Sequence, residues 1–98
     1  MTAYIISLRK GSVRDPEAMA EYQRRTRQMK GDFKTTPLVI YGAMEGLEGI
    51  PPDGMVMLEF PSMEEAKAWY NNEDYQAAIP YRQKAADYEM FIVEGLNR

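Results

Sequence analysis

The residues that could perform chemistry in this 98-residue chain are tyrosines, carboxylates and basic groups, because it contains no cysteine and no histidine. Thiolate nucleophiles, zinc ribbons, imidazole bases and Ser-His-Asp triads are therefore excluded. The nitrogen and sulfur ligands that transition metals favour are missing as well. We predict that the protein holds no metal and uses no cofactor. Its chemistry must then rest on carboxylates, hydroxyls, amines, guanidinium groups or backbone amides.

The aromatic side chains are the most promising of these groups, with seven tyrosines and a single tryptophan. Tyr22, Trp69 and Tyr75 fall on or near the inward faces of predicted helices. There they could line a pocket for a flat, partly apolar ligand, with hydroxyls that fix its orientation. The alternative is that they only pack the core, which is the commonest role of aromatic residues at helical spacing.

Two carboxylates and one arginine complete the candidate site. Glu48 lies in a Gly-rich turn and Glu59 near the end of a strand. Either could act as a general base if burial raised its pKa, or could form a structural ion pair. Arg82 has no acidic residue three or four positions away, so it cannot pair within its own helix. Its partner could be Glu48, Glu59 or an anionic group on a ligand; alternatively, its head could lie in water.

Charge and glycine spacing argue against nucleic acids and nucleotides as partners, although the basic groups of the first third of the chain could steer an anion. The net charge is −3, which argues against nucleic acid as a partner. Residues 9–34 carry eight basic groups against four acids, but Glu21 precedes Arg24 and Arg25 at helix-pairing distances, which indicates a solvated helix face. The glycines of residues 42–54 match neither G-x-G-x-x-G nor a phosphate-binding loop with its lysine.

The elements that must position these residues follow the order β-α-β-β-α-β. Apolar, β-branched runs predict strands over residues 4–8, 38–41, 55–60 and 90–93. Asp15-Pro16 begins a first helix that ends at Gly31-Asp32, and Ser62 caps a second helix as far as Asn71-Asn72. A further helix over 73–86 is expected to be interrupted at Pro80. This order predicts one α+β domain over residues 1–98, ferredoxin-like, with a four-stranded antiparallel sheet and its helices on one face.

Both faces of the predicted sheet are apolar, although helices can cover only one. Strand three alternates between two sets of apolar residues, and so does the last strand. The uncovered face would leave an apolar patch larger than a monomer usually exposes. We therefore expect a homodimer that packs sheet against sheet. No apolar run approaches the ~18 residues of a membrane span, and the first residues do not resemble a signal peptide, so we expect a cytoplasmic protein without membrane contact.

Several motifs in the second half resemble one family. They are Leu58-Glu59-Phe60-Pro61-Ser62, Trp69-Tyr70-Asn71 with Tyr75-Gln76, Pro80 with Arg82, and the closing Val93-Glu94-Gly95. Together with Asp15-Pro16-Glu17 and the Leu47-Glu48-Gly49 turn, this pattern is similar to that of the domain-of-unknown-function 1330 family. The resemblance implies a dimeric α/β-barrel fold and no assigned activity. Gly31 to Pro37 stands where family members usually have a Gly-Gly pair.

Two classes of function remain open from the sequence. One is a binding or structural dimer without catalysis, whose partner would be a small organic ligand. The other is a cofactor-independent enzyme, oxygenase- or isomerase-like, that acts on a small aromatic or lactone-type substrate; this rests on analogy with enzymes of the same architecture. A cavity of mixed polarity would favour a ligand binder or an enzyme, whereas a packed interior would favour the structural class.

Overall fold

One antiparallel sheet and three helices make up the fold of a computed structural model, which describes residues 1–31 and 33–96. The elements in chain order are β1 (Ala3–Lys10), α1 (Pro16–Arg27), β2 (Thr36–Ile40), β3 (Gly54–Phe60), α2 (Met63–Asn71), α3 (Glu73–Ala85) and β4 (Asp87–Glu94). The strands lie in the order β2-β3-β1-β4. The predicted α+β class, element order and four-stranded antiparallel sheet are confirmed.

Three polar side chains begin the helices, each by satisfying an amide that the first turn leaves free. The Asp15 carboxylate accepts from the Ala18 amide at 3.0 Å, and Pro16 occupies the first helical turn. Ser62 accepts from the Glu65 amide at 3.1 Å. Asn72 ends α2 and also caps α3. The short step between α2 and α3 therefore brings their aromatic residues together.

The elements differ from the sequence prediction most clearly at three places. α3 continues through Pro80, where a break was expected. Pro80 is exposed, and so is Gln76, the residue whose carbonyl is left without its amide partner, so water can replace the lost hydrogen bond. β4 begins at Asp87, three residues before the expected Met90. α1 ends at Arg27 rather than at Gly31-Asp32, of which Asp32 lies outside the described residues.

Strand register divides the sheet into a covered and an open face. On the covered face, Ala3, Ile5 and Ser7 of β1 are buried beneath the helices. They pair with Phe60, Leu58 and Val56 of β3, and this face also includes Met90 and Ile92 of β4. The open face carries the alternate positions, which include Glu59, Glu89 and the apolar residues Tyr4, Ile6, Leu8, Met55, Met57, Phe91 and Val93. The predicted division of apolar residues between two faces is confirmed.

Beneath the helices, the buried residues form two separate clusters rather than one core. The first joins the sheet to α2 and contains Ala3, Ile5, Phe60 and Ala66. The second lies where α1 meets α3 and contains Ala18, Met19, Ala85 and Ala86. Of the side chains that line the candidate site, Leu58, Trp69 and Met90 pack against the first cluster, and Tyr22 and Tyr88 pack against the second.

Residues 41–53 connect β2 to β3 without regular structure and are almost entirely exposed. The connection is fixed at both ends. The Tyr41 amide donates to the Met55 carbonyl at 2.8 Å, and the Asp53 amide donates to the Arg9 carbonyl at 2.9 Å. Within the described part of the chain, no helix is long and apolar enough to cross a membrane.

Candidate functional site

A cavity of about 480 Å³ lies between the helices and the covered face of the sheet. Its floor comes from alternate positions of the strands, and its most apolar part is formed by Ile5, Leu58 and Met90. The helices contribute the opposite wall, with Tyr22 from α1, Trp69 from α2 and Arg82 from α3. The interior is therefore not fully packed, and its lining combines apolar surface with hydroxyl and guanidinium groups.

Trp69 and two tyrosines form an aromatic cluster at the helical wall. Tyr75 is fully buried, and its ring centroid lies 4.2 Å from that of Trp69. The Tyr22 and Tyr75 rings meet edge to face at 6.1 Å, and their hydroxyls share a hydrogen bond of 2.9 Å. Tyr75 supports the wall residues Tyr22 and Trp69 from behind, so its packing role and the pocket-lining role of its neighbours coexist.

Both hydroxyls of this pair stay protonated at neutral pH. Burial is the main cause of the raised pKa of Tyr22, and the adjacent Tyr75 raises it further. Burial also raises the pKa of Tyr75, although its hydrogen bond to Tyr22 and the nearby charge of Arg82 oppose the rise. Removing a phenol from water disfavours its charged form. The pair can therefore offer hydrogen bonds to a ligand, but it supplies no phenolate base.

A second pair of tyrosines lies at the edge of the cavity. The hydroxyls of Tyr41 and Tyr88 share a hydrogen bond of 2.6 Å, and both residues line the cavity. Burial, followed by this hydrogen bond, raises the pKa of Tyr41. Tyr41 has φ of 51°, in the left-handed region that side chains other than glycine rarely adopt. The chain thus holds Tyr41 in a conformation that costs free energy, and its ring lines the cavity although the residue is 37% exposed.

Arg82 is the cation of the site and is only 7% exposed. Its Nε atom is buried and has no hydrogen-bond partner within residues 1–31 and 33–96. The guanidinium carbon lies 5.6 Å from the ring centroid of Tyr88, which gives a cation–π contact. Ion pairs in the described structure involve other basic residues, with Glu21 holding Arg24 and Arg25 as the helix-face interpretation predicted.

The carboxylates predicted to pair with Arg82 do not reach it in the structure. Glu59 pairs with Tyr4 in the sheet register and so lies on the open face, on the other side of the sheet. Glu48 lies in the exposed connection of residues 41–53. The expected structural ion pair with Glu48 or Glu59 is therefore not formed, because the strand alternation and the connection direct both away from α3.

The structure brings together four of the six residues that the sequence singled out. Tyr22, Trp69 and Arg82 line the cavity and Tyr75 contacts them, whereas Glu48 and Glu59 lie elsewhere. The sequence reasoning missed Ser7, Tyr41 and Tyr88. The sequence did contain a signal for two of them, because residues two positions apart in a strand lie on the same face of the sheet. Ser7 follows Ile5 by two positions, and Tyr88 precedes Met90 by two positions. Nothing local marked Tyr41.

Among the described residues, no three acidic side chains come together as a metal site. None of the cavity-lining residues that the structure describes is a carboxylate either. The site offers one buried guanidinium, several neutral hydroxyls and an apolar floor. Such a lining can bind and orient a small polar–apolar molecule.

These features define a small ferredoxin-like α+β protein with a tyrosine-rich cavity beneath its helices. A family model, the domain of unknown function DUF1330, matches residues 2–96. The chain belongs to this family, as the motifs of the second half indicated. Comparison with curated proteins gives no match.

Solved structures share the fold at low sequence identity. A protein of unknown function from Rhodopseudomonas palustris is 18% identical with a TM-score of 0.67, over 99% of this chain and 84% of that chain. An ethyl tert-butyl ether d (ethd) family protein from Bacillus halodurans is 17% identical with a TM-score of 0.64, over 98% and 100% of the two chains. A dimeric ferredoxin-like protein of unknown function from Bacteroides fragilis is 14% identical with a TM-score of 0.60, over 96% of each chain. At these identities the similarity shows the fold alone.

Proposed function

We propose that this protein is a homodimer that binds a small, flat organic molecule in the cavity of each protomer. The observation that carries the proposal is the cavity itself, about 480 Å³ with an apolar floor and hydroxyl-bearing walls. Pockets for small molecules typically measure ~300–1,000 Å³ and combine apolar lining with a few convergent polar groups. A domain that only needed stability would gain by filling such a space.

Binding fits the geometry better than cofactor-independent catalysis. Proton abstraction from a carbon acid needs a base with a pKa near the working pH. The tyrosines Tyr22, Tyr41 and Tyr75 all have raised pKa values, so they remain neutral. Glu48 and Glu59, the two candidate bases, lie away from the cavity. The groups that surround the cavity donate hydrogen bonds, which is what a binding site requires.

Dimerisation through the open sheet face completes the proposal. This face is largely apolar, although it also carries Glu59 and Glu89. Phe91 and Val93 of its β4 edge are 47% and 41% exposed in the single chain. Burial of apolar surface yields ~25 cal/mol per Å², so a second copy packed on this face would be stabilised. Two structural neighbours, from Bacteroides fragilis and Thermobifida fusca, are described as dimeric. A second copy of this chain is the occupant that these observations favour.

Trp69 supplies a direct readout of ligand binding, because it is the single tryptophan and lines the cavity. Its indole N–H gives one resolvable cross-peak in a ¹H–¹⁵N spectrum. We expect saturable shifts of this peak with bicyclic aromatic probes such as naphthalene-2-carboxamide and 2-naphthoate. Thr26→Phe should block the cavity, which Thr26 lines, whereas Ala20→Phe, on the exposed side of the same helix, should leave binding intact. Equal binding by both variants, or no shift with any probe at millimolar concentration, would contradict the proposal.

The dimer is tested separately by light scattering after size exclusion. The wild-type protein should elute with the mass of two 11.3 kDa chains. Phe91→Glu places a charge on the open face opposite Ile6 and should shift the protein to a monomer. Leu47→Glu is the matched control, since Leu47 is 92% exposed and lies outside the sheet. A wild-type monomer, or an equal effect of both substitutions, would rule out this interface.

A further inference from the structure

We infer that the ligand of this cavity is a planar aromatic monocarboxylate whose charged group is bound by Arg82. This inference rests on the proposed function and names the chemical class of its ligand. It begins with the charge balance of the cavity. Arg82 is nine-tenths buried, and its Nε donor has no partner among the described residues. Arg27, the other cation in the described lining, is exposed at the edge.

An unpaired buried guanidinium is costly, because desolvation is not repaid by an opposite charge. The described ion pairs of the protein do not include Arg82, and the contact with the Tyr88 ring offsets only part of this cost. An anion in the cavity would supply the missing partner. The planar fork of a guanidinium matches a carboxylate, with which it forms two parallel hydrogen bonds.

The hydroxyls next to Arg82 suit the same ligand group. Arg82 lies close enough to Tyr22 and Tyr75 for its positive charge to oppose the rise in the pKa of both phenols. The Tyr22 and Tyr75 hydroxyls share one hydrogen bond that either can donate, and the Tyr75 hydroxyl also lies 3.8 Å from the Met90 sulfur. When a bound carboxylate accepts the Tyr22 proton, Tyr75 donates to Tyr22 instead of to this sulfur. Tyr22 of α1 and Arg82 of α3 both line the cavity, so two helices each contribute a donor to the same space. One buried positive charge matches a monoanion, whereas a phosphate dianion would leave negative charge uncompensated.

The apolar part of the cavity lining indicates what kind of molecule carries the carboxylate. Trp69, Leu58 and Met90 provide apolar surface, and Trp69 offers an aromatic face for stacking. A flat ring system on this surface would place its substituent toward Arg82. The cavity therefore selects for an aromatic ring that carries a single carboxylate, rather than for an aliphatic polyacid or a sugar phosphate.

Calorimetric titration with a matched pair of probes tests the inference. 2-Naphthoate and naphthalene-2-carboxamide have nearly the same shape and differ in charge. Wild-type protein should bind the acid at least about tenfold more tightly than the amide, since a hydrogen bond to a charged group is worth roughly this factor or more. Arg82→Gln should remove most of that preference by weakening binding of the acid far more than binding of the amide. Arg27→Gln, at the exposed edge of the same cavity, should retain the preference.

The outcomes distinguish a failure of this inference from a failure of the proposed function on which it rests. If wild-type protein binds acid and amide equally and Arg82→Gln changes neither affinity, the cavity binds ligands but the carboxylate assignment is wrong. If Arg27→Gln removes the preference and Arg82→Gln does not, the anion lies at the cavity edge and the assignment is again wrong. If neither probe binds or shifts the Trp69 indole peak, the proposed function fails as well. Measurable amide binding by Arg82→Gln also shows that the variant is folded.

Discussion

Replacing Arg82 by methionine is expected to stabilise the ligand-free protein, even though the side chain is only 7% exposed. The unpartnered Nε donor carries a desolvation cost of about 1–3 kcal/mol. Methionine fills a similar volume, has a helix propensity close to that of arginine and brings no buried donor. The substitution also removes the contact with Tyr88, whose centroid distance of 5.6 Å places it at the weak end, about 0.5 kcal/mol.

The balance of these two effects is a gain of roughly 1 kcal/mol for Arg82→Met, or about 4–8 °C in Tm for a domain of this size. Urea unfolding measures it, at one protein concentration because the proposed dimer would make stability concentration-dependent. Arg14→Met is the control. Arg14 bonds Asp87 at 2.9 Å near the surface, and its loss should cost no more than about 1 kcal/mol. A clear loss of stability in Arg82→Met would refute the reasoning, since the guanidinium would then be a structural group.

Three other predictions follow from the tyrosine pKa values and the helix caps. Ultraviolet titration should leave Tyr22, Tyr41 and Tyr75 protonated above pH 10 until the protein unfolds, because burial raises the pKa of each. Since unfolded tyrosines ionise near pH 10, stability should fall as the pH rises beyond that value. A single ionisation transition near pH 10 for all seven tyrosines of the folded protein would disprove this. In urea unfolding, Ser62→Ala should lower the free energy of unfolding by about 1 kcal/mol and Ser62→Asp by much less. An unchanged free energy in Ser62→Ala would contradict the role of this cap. The hydrogen bond that the Asp15 carboxylate accepts from the Ala18 amide lowers the pKa of Asp15. The contribution of this cap to stability should therefore disappear as the pH falls below about 4. Asp15→Asn should flatten that acid limb in thermal melts at pH 2–6, and an unchanged limb would contradict this.

Local patterns predicted the fold because each strand and cap carries its own signal. The alternation of β3 assigns Leu58 and Phe60 to one face and Met57 to the other, which the register confirms. The same alternation already placed Glu59 with Met57, away from the helices. Pairing Glu59 with Arg82 was therefore an error that the sequence itself could have corrected.

The cavity required tertiary information that no local pattern contains. Tyr41 reaches the site through a left-handed backbone conformation at the start of an irregular connection. Its partner Tyr88 lies 47 positions away in the chain. Whether the two core clusters meet or leave a space depends on how α1 and α3 pack, which composition does not determine. The aromatic residues of the site could be listed from the sequence, but their arrangement could not.

The most direct test of the ligand-binding account is a crystal structure of the protein with 6-bromo-2-naphthoate. The bromine atom is located in an anomalous difference map from data collected near its absorption edge. The account predicts one bromine peak per protomer beside Trp69 and Met90, with the carboxylate density against the guanidinium of Arg82. A well-diffracting crystal grown at saturating probe with an empty cavity, or with bromine only on the open sheet face, would contradict it.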